Sequence, residues 1–223
     1  MSRQLSDELR TARDRVSSVS RRLAAAGLVL GTAGNVSEQV GELIAITPTG
    51  AALKDLTADQ ITVIDRDGRV VDGELAPTSE LDLHLGVYER YTAGAVVHTH
   101  APVATAVSCV VDELPCIHYQ MLLLGGTVRV APYRTFGTPA LAEVTLDALE
   151  DRMAALMANH GAIVWAQDLE HAFAQSELLE WACTVYWRAA AIGTPRALDD
   201  EDRMAVVAAA TQRNYGTTQR IKQ

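Results

Sequence analysis

Residues 95–102 read Ala-Val-Val-His-Thr-His-Ala-Pro, and this stretch contains both a short strand and a pair of histidines. The apolar run before His98 is typical of a buried strand, and Pro102 permits a helix to start directly afterwards. Side chains alternate along an extended chain, so the imidazoles of His98 and His100 are expected to point to the same side. Two histidines placed in this way can bind one metal ion, but a strand-end pair can equally be hydrogen-bonded to backbone groups.

The best candidate for a third ligand is His160, in an Asn-His-Gly segment just before the apolar run 162–166. Three protein ligands and an open position are typical of a catalytic zinc site, although a lone histidine here could also serve as a turn residue. His84 lies one turn after Glu80 on the same predicted helix face, so we expect it to pack behind a site rather than to bind metal. His171, at the start of a long predicted helix, is expected to face solvent.

Glu80 follows Pro77-Thr78-Ser79 at the predicted start of a helix. Either Thr78 or Ser79 can cap that helix, and the free backbone N–H groups of a helix N-terminus favour an anion. We therefore expect an anion pocket with the Glu80 carboxylate on its rim. The plain alternative is an ordinary capped helix start.

The remaining pattern alternates helices with strands but lacks a regular parallel period. It predicts a three-layer α/β/α fold around a central mixed, mainly antiparallel sheet. Apolar spacing and turn residues predict strands within 31–50 and near 61–65, 69–71, 95–98, 127–131 and 162–166, and helices near 2–27, 79–91, 102–111, 138–149, 169–192 and 199–215, with a short helix after 118.

Length and composition favour one domain spanning 1–223, because the 223 residues are 48% hydrophobic and no Pro/Gly/Ser-rich linker divides them. The net charge of −9 argues against binding to nucleic acid or to an anionic membrane. No apolar run reaches the roughly 20 residues of a membrane span. Three cysteines without a Cys-x-x-Cys pair predict reduced thiols in a cytoplasmic protein.

Lysine occurs only at Lys54 and Lys222. Schiff-base catalysis would therefore need a lysine in a polar loop or one next to the last residue of the sequence. Composition thus disfavours a lysine-dependent mechanism.

Eight short motifs together resemble the class II aldolase/adducin family, and most closely the branch of sugar-phosphate aldolases that act on L-fuculose 1-phosphate. They occur in the family's order and extend over roughly residues 5–216. The motifs are GTAGNVS (31–37), ITPTG (46–50), PTSE (77–80), VVHTHAP (96–102), IHY (117–119), FGT (136–138), NHG (159–161) and NYG (214–216).

The resemblance implies a metal site and a catalytic carboxylate. It implies that His98, His100 and His160 bind Zn²⁺, or another divalent metal. It also implies that Glu80 completes the resting coordination and then acts as a base.

Two tyrosines and a ring of subunits belong to the same resemblance. Tyr119 matches the tyrosine that handles the proton on the substrate's reacting oxygen, and Tyr215 resembles a C-terminal tyrosine near the site. Family sites form between neighbouring subunits of a fourfold homotetramer, so both tyrosines would act in the adjacent chain.

The resemblance further implies a phosphate pocket that contains no lysine or arginine. Gly34 would let the backbone approach the ligand closely, and Thr78 stands where the aldolase branch has serine, which keeps the hydroxyl. The pocket would comprise Asn35, Thr49, Gly50, Thr78 and Ser79.

The function implied is that of a metal-dependent aldehyde-lyase cleaving a phosphorylated ketose into dihydroxyacetone phosphate and an aldehyde. Alternatives within the family are a sugar-phosphate dehydratase, a decarboxylase and a 4-epimerase, the last disfavoured because those epimerases carry aspartate where this chain has Glu80. A non-catalytic domain like the adducin head is disfavoured because such heads have lost the metal histidines.

Overall fold

The computed structural model describes residues 3–213 together with 215 and 216. Within this part of the chain the helices are α1 (Arg3–Ala25), α2 (Leu81–Arg90), α3 (Pro102–Ser108), α4 (Pro139–Ala148), α5 (Leu169–Ile192) and α6 (Asp200–Arg213). The strands are β1 (Asn35–Val40), β2 (Leu43–Ile46), β3 (Thr62–Asp65), β4 (Val70–Asp72), β5 (Ala95–Thr99), β6 (Glu113–Leu114), β7 (Val128–Ala131), β8 (Ala154–Met157) and β9 (Gly161–Ala166). Short 3-10 helices lie at Leu53–Asp55, Ala58–Gln60 and Tyr119–Leu124.

These strands form one sheet in the order β4-β3-β2-β1-β5-β9-β8-β7-β6. Each neighbouring pair is antiparallel except β7 and β8, which are parallel. A parallel pair needs a crossover connection, and α4 provides it. The predicted mixed, mainly antiparallel sheet is therefore confirmed.

Side-chain alternation along the central strand β5 divides the core into two clusters. Val97 packs in the cluster that includes residues of α1, α3 and α5, whereas Val96 packs in the cluster that includes residues of α2 and α4. Both valines are completely buried, and burial of such a side chain stabilises the fold by about 1.5–3 kcal/mol. Helices thus cover both faces of the sheet, as the predicted three-layer fold requires.

The start of α2 differs from the prediction. Its N-cap residue is Glu80, not Thr78 or Ser79, and its first helical residue is Leu81. Thr78 stays extended because its N–H donates to the carbonyl of Thr47, 3.1 Å away. Its hydroxyl accepts instead from the Glu80 N–H, at 3.3 Å.

The strands β6 and β8 were not predicted. The segment Ala154–Met157 contains only alanine, leucine and methionine, which do not favour a strand by themselves. Pairing with β7 on one side and β9 on the other makes it a completely buried strand. Its conformation is therefore a consequence of sheet assembly.

Cys109, Cys116 and Cys183 are all free, and of the three only Cys109 is exposed. Among the helices between residues 3 and 213, none combines the length and hydropathy needed to cross a membrane.

Gly161, the first residue of β9, allows a close contact with the end of β5. A Cβ at this position would lie 2.3 Å from the Thr99 carbonyl oxygen. Gly161→Ala should therefore push the two strands apart and lower the free energy of unfolding by about 1–3 kcal/mol, measured by urea denaturation. The control is Gly193→Ala, because a Cβ there meets no atom within 4 Å. Equal stabilities of the two variants would contradict this interpretation.

Candidate metal centre and active site

The three histidines selected from the sequence converge at one end of the central strands. His98 is in β5 and completely buried, and His100 follows the end of that strand. Their Nε2 atoms lie 2.9 Å apart, so both imidazoles do point to the same side. His160 joins them from the β8–β9 turn, and one ligand atom of each residue lies within 4.8 Å of the others.

The geometry of the β8–β9 turn explains each residue of the Asn-His-Gly segment. Asn159 has a positive φ of 55°, a left-handed conformation that asparagine tolerates better than most residues. The His160 N–H donates to the Met157 carbonyl at 3.1 Å and closes the turn. Gly161 then permits the contact with β5, so the turn presents His160 to the other two imidazoles.

Gly34 packs the loop before β1 against the strand that carries His98. Its φ is +86°, and a Cβ would lie 2.9 Å from the His98 carbonyl oxygen. The close approach that glycine permits is therefore an approach to β5. Gly34 also lines the pocket next to the histidines.

The tautomer of His98 is set by the backbone of β9. The His98 Nδ1 lies 2.8 Å from the Ala162 carbonyl oxygen, which can only accept a hydrogen bond. Nδ1 therefore carries the hydrogen, and the neutral ring presents the Nε2 lone pair to His100. This backbone anchor is typical of metal-binding histidines.

Glu80 brings a carboxylate to the same point. Its Oε2 lies 3.0 Å from the His98 Nε2, and its Oε1 lies 3.4 Å from the His160 Nε2. Asn35 Nδ2 donates to Oε2 at 2.9 Å, whereas the buried Oε1 has no hydrogen-bond partner. One oxygen is thus held and the other is directed at the histidine cluster.

The charges of the cluster follow from burial and from the Glu80 carboxylate. Burial lowers the pKa of His100 to about 3 and that of His160 to about 4, so both rings are neutral at pH 7. Burial acts on His98 in the same direction, but attraction to Glu80 outweighs it and raises the pKa of His98. Burial would raise the pKa of Glu80, but His98, Asn35 and His160 hold it well below its usual range.

These groups fit a divalent metal ion. The Oε2 of Glu80 and the Nε2 atoms of His98 and His100 lie about 3 Å apart, and a positive charge among them, either a proton on His98 or a metal ion, stabilises this arrangement of acceptor atoms. Imidazole nitrogens and a carboxylate oxygen are ligands that zinc accepts. The donor set and the unsatisfied Glu80 Oε1 therefore both match the metal site expected from the sequence.

A pocket of about 410 Å³ opens beside the cluster. Its lining includes Glu80, His100 and His160, and it also includes every residue of the predicted phosphate site: Asn35, Thr49, Gly50, Thr78 and Ser79. Hydroxyl and backbone N–H groups can bind phosphate oxygens without a cationic side chain. The structure thus brings the two predicted sets of residues to one pocket.

The pocket also contains a cation that sequence reasoning missed. Arg134, which lies between Tyr133 and Phe136 in the sequence, is part of the lining, although the phosphate residues expected from the sequence include no lysine or arginine. Its guanidinium donates to the Tyr133 carbonyl at 2.8 Å and pairs with no carboxylate among the described residues. The loop reaches the pocket because Gly137 packs on the Ser79 carbonyl. The only sequence signal was its position two residues before the FGT motif.

Tyr119 and Tyr215 do not line this pocket. They line a second cavity of about 420 Å³ together with residues of α6, and their hydroxyls are 3.0 Å apart. Both side chains are exposed. The chain thus brings the two tyrosines to each other but does not place them in the pocket beside His100 and His160. Asn214 and the tail after Gly216 lie outside the described residues.

A family model described as the class II aldolase and adducin N-terminal domain matches residues 14–187. The chain belongs to this family. The L-fuculose phosphate aldolase of Escherichia coli K12 is 40% identical over 183 residues, which are 81% of this chain and 85% of that one. The 5-deoxy-D-ribulose 1-phosphate aldolase of Bacillus thuringiensis serovar kurstaki is 36% identical over 197 residues, 87% of this chain and 92% of that one. A solved L-fuculose 1-phosphate aldolase superposes with a TM-score of 0.86 at 35% identity, covering 90% of this chain and 96% of that chain.

As a class II aldolase family member, the chain is an enzyme of the lyase class. Class II aldolases depend on a metal, and the three histidines are the group that could hold one here. Lys54 is exposed, pairs with Asp55 at 3.3 Å and does not line the pocket. Lys222 lies outside the described residues.

Replacement of a histidine of the cluster should remove the metal from this class II aldolase. Loss of an outer hydrogen-bonding partner of a metal ligand typically weakens metal binding by roughly 10- to 100-fold. His98→Ala or His160→Ala removes a ligand itself, so zinc binding should weaken by more than this. Chelator competition and elemental analysis measure this. His171→Ala is the matched control, since His171 is exposed and bonds Asp168 away from the cluster. Stoichiometric zinc in His98→Ala would refute the assignment.

Proposed function

We propose that this chain is a zinc-dependent aldolase that cleaves a ketose 1-phosphate into dihydroxyacetone phosphate and a short aldehyde. The observation that carries the proposal is the convergence of three imidazoles and a buried carboxylate on a pocket lined by hydroxyl groups. Relatives named for L-fuculose phosphate and for 5-deoxy-D-ribulose 1-phosphate support a phosphorylated ketose as substrate.

The reaction needs stabilisation of negative charge. Cleavage of the bond between carbons 3 and 4 of the ketose leaves an electron pair on carbon 3, next to the carbonyl at carbon 2, and this pair is delocalised onto the carbonyl oxygen. A divalent ion held by the histidines would polarise that oxygen as a Lewis acid and lower the barrier by several kcal/mol. Neutral rings of His100 and His160 leave the charge of the ion undiminished.

Glu80 is positioned to move a proton at carbon. Its Oε1 has no hydrogen-bond partner and faces the histidine cluster, so it can accept a proton without first breaking a bond. In the cleavage direction a protonated Glu80 would return this proton to the carbanion carbon of dihydroxyacetone phosphate. In the reverse direction the carboxylate would remove it.

The proton on the hydroxyl of the cleaved bond requires a second group. We assign it to Tyr119, with Tyr215 beside it, from the neighbouring subunit of a fourfold ring. Both tyrosines are exposed and lie outside their own subunit's pocket, which supports a role in an adjacent site.

The pocket also suggests what kind of sugar it accepts. Thr49, Thr78 and Ser79 offer hydroxyls to the phosphate, while Tyr133 and Phe136 form an aromatic wall. L-Fuculose and 5-deoxyribulose phosphates both end in a methyl group, which an aromatic wall accepts better than a hydroxymethyl group. We therefore propose a deoxyketose 1-phosphate as the substrate class.

A screen of ketose 1-phosphates tests the function. L-fuculose 1-phosphate or 5-deoxyribulose 1-phosphate should release dihydroxyacetone phosphate, and a chelator should abolish release until zinc is restored.

Glu80→Gln should keep zinc but lose about 10²- to 10⁴-fold in proton exchange on dihydroxyacetone phosphate, because the base is removed. Dehydration, decarboxylation or epimerisation products without dihydroxyacetone phosphate would overturn the aldolase proposal, and wild-type exchange in Glu80→Gln would exclude Glu80 as the base.

Arg134 should strengthen binding of the phosphate. Because a hydrogen bond to a charged group contributes about 1.5–3 kcal/mol, Arg134→Ala should raise the KM for a ketose 1-phosphate roughly 10- to 100-fold. The Kd of inorganic phosphate should rise in parallel, measured by calorimetry. Arg10→Ala, which removes an exposed arginine paired with Asp7, controls for net charge. An unchanged phosphate Kd in Arg134→Ala would place Arg134 outside the phosphate site.

A further inference from the structure

A line of buried polar side chains leads from Glu80 into the core, away from the pocket. It consists of Asn35 and Ser37 on β1 and of His84 and Tyr88 on α2. All four are at most 5% exposed, and His84 and Ser37 are completely buried. Polar groups are costly to bury unless they are hydrogen-bonded, so their arrangement calls for a physical reason.

Each neighbouring pair in the line is hydrogen-bonded. The Tyr88 hydroxyl is 2.8 Å from Ser37 Oγ, and Ser37 Oγ is 2.7 Å from His84 Nδ1. His84 Nε2 is 2.5 Å from Asn35 Oδ1, and Asn35 Nδ2 is 2.9 Å from Glu80 Oε2.

Only one direction of donation satisfies every member. The Glu80 carboxylate can only accept, so Asn35 donates its N–H and presents its carbonyl to His84. His84 must then carry its hydrogen on Nε2, and because burial lowers its pKa to about 3, its Nδ1 is an acceptor. Ser37 donates to that nitrogen, which leaves Tyr88 to donate to Ser37. Every hydrogen in the line points toward Glu80.

Strand and helix spacing make the contacts possible. Asn35 and Ser37 are two residues apart on β1 and point to the same face, about 6.6 Å apart along the strand. His84 and Tyr88 are four residues apart on one face of α2, about 6 Å along the axis. The nearly equal spacings let the two pairs lie opposite each other across the sheet–helix contact.

We infer that His84, supported by Ser37 and Tyr88, is a positioning residue that fixes the amide orientation of Asn35 and thereby the Glu80 carboxylate. This inference rests on the proposed function of Glu80. The amide of asparagine has two orientations of nearly equal shape, and the reversed one would place two acceptor oxygens, Asn35 Oδ1 and Glu80 Oε2, against each other. The hydrogen on His84 Nε2 is what selects the productive orientation.

The consequence lies at the histidine cluster. With Asn35 correctly oriented, Glu80 Oε2 is held 3.0 Å from His98 Nε2 and Oε1 remains without a hydrogen bond. With Asn35 reversed, its Oδ1 would repel Glu80 Oε2, and the carboxylate would no longer be held beside His98. His84 therefore affects the metal site and the base without touching either the pocket or the substrate.

The test compares two substitutions of His84, His84→Leu and His84→Gln, with Asn35→Ala and with the double variant that combines His84→Leu and Asn35→Ala. His84→Leu should weaken zinc binding in chelator competition about 10- to 100-fold, the cost typical of losing an outer partner. It should also lower kcat for proton exchange on dihydroxyacetone phosphate while leaving KM within about threefold. His84→Gln, whose amide can donate from the Nε2 position, should recover most of both losses.

The double variant separates positioning from general destabilisation. If His84 acts through Asn35, His84→Leu combined with Asn35→Ala should bind zinc no more weakly than Asn35→Ala by itself. Additive losses, or wild-type zinc affinity in His84→Leu, would overturn the inference. Tyr88→Phe should give a smaller loss of zinc affinity than His84→Leu. The control is Tyr91→Phe, which should cause no loss of zinc affinity, because Tyr91 lies just beyond α2 and its hydroxyl donates to the Leu146 carbonyl.

A measurement on the wild-type protein keeps the inference testable if a variant fails to fold. ¹⁵N NMR of the imidazole nitrogens should show His84 as the neutral tautomer with hydrogen on Nε2. Hydrogen on Nδ1 alone would make Nε2 an acceptor, reverse the line at Asn35 and overturn the inference. Zinc affinity and tautomer need no substrate, so they decide the inference even if no ketose 1-phosphate is cleaved.

Discussion

A carboxylate oxygen of Glu80 and the Nε2 of His98 lie 3.0 Å apart in the protein interior, and the rest of the site depends on this contact. The carboxylate favours a positive charge on or beside the imidazole and so raises the pKa of His98, and burial removes the water that would otherwise screen the pair. They can stay there only because each is held from behind, His98 by the Ala162 carbonyl and Glu80 by Asn35. A positive charge at this point is attracted by the carboxylate, which is why a metal ion suits it.

The supports of His98 and Glu80 come from the two strands that pair with β5. Strand β9 contributes the Ala162 carbonyl and strand β1 contributes Asn35. His98 in β5 pairs with Asn35 of β1 on one side and with Ile163 of β9 on the other. The same register places the Ala162 carbonyl within hydrogen-bonding distance of the His98 imidazole, and the Asn35 amide within hydrogen-bonding distance of Glu80. A slip of one residue would turn these side chains to the opposite face, so the site requires the β1-β5-β9 order and register. Catalytic geometry and core packing are therefore consequences of one set of strand pairings.

Much of the candidate site could be predicted because its residues lie in short local patterns. The His-x-His spacing sufficed to place two imidazoles on one side, and the glycine and asparagine around His160 are explained by their own turn. Other features could not be predicted, since distant segments create them. Strand β8 depends on β7 and β9, the N-cap at Glu80 depends on the bond between Thr78 and Thr47, and Arg134 enters the pocket only through the packing of its loop on Ser79.

The sequence by itself determined the alternation of strands and helices, the identity of the histidine cluster and the family resemblance, because these follow from residue spacing over a few positions. Only the tertiary structure decided what lies behind and around the cluster. The line from Tyr88 to Glu80 joins β1 to α2, residues more than 40 positions apart, and its hydrogen-bond direction is set by the last acceptor. No local pattern encodes such a line, because hydrogen bonds between distant residues exist only once strand register and helix packing have brought their atoms within 3 Å.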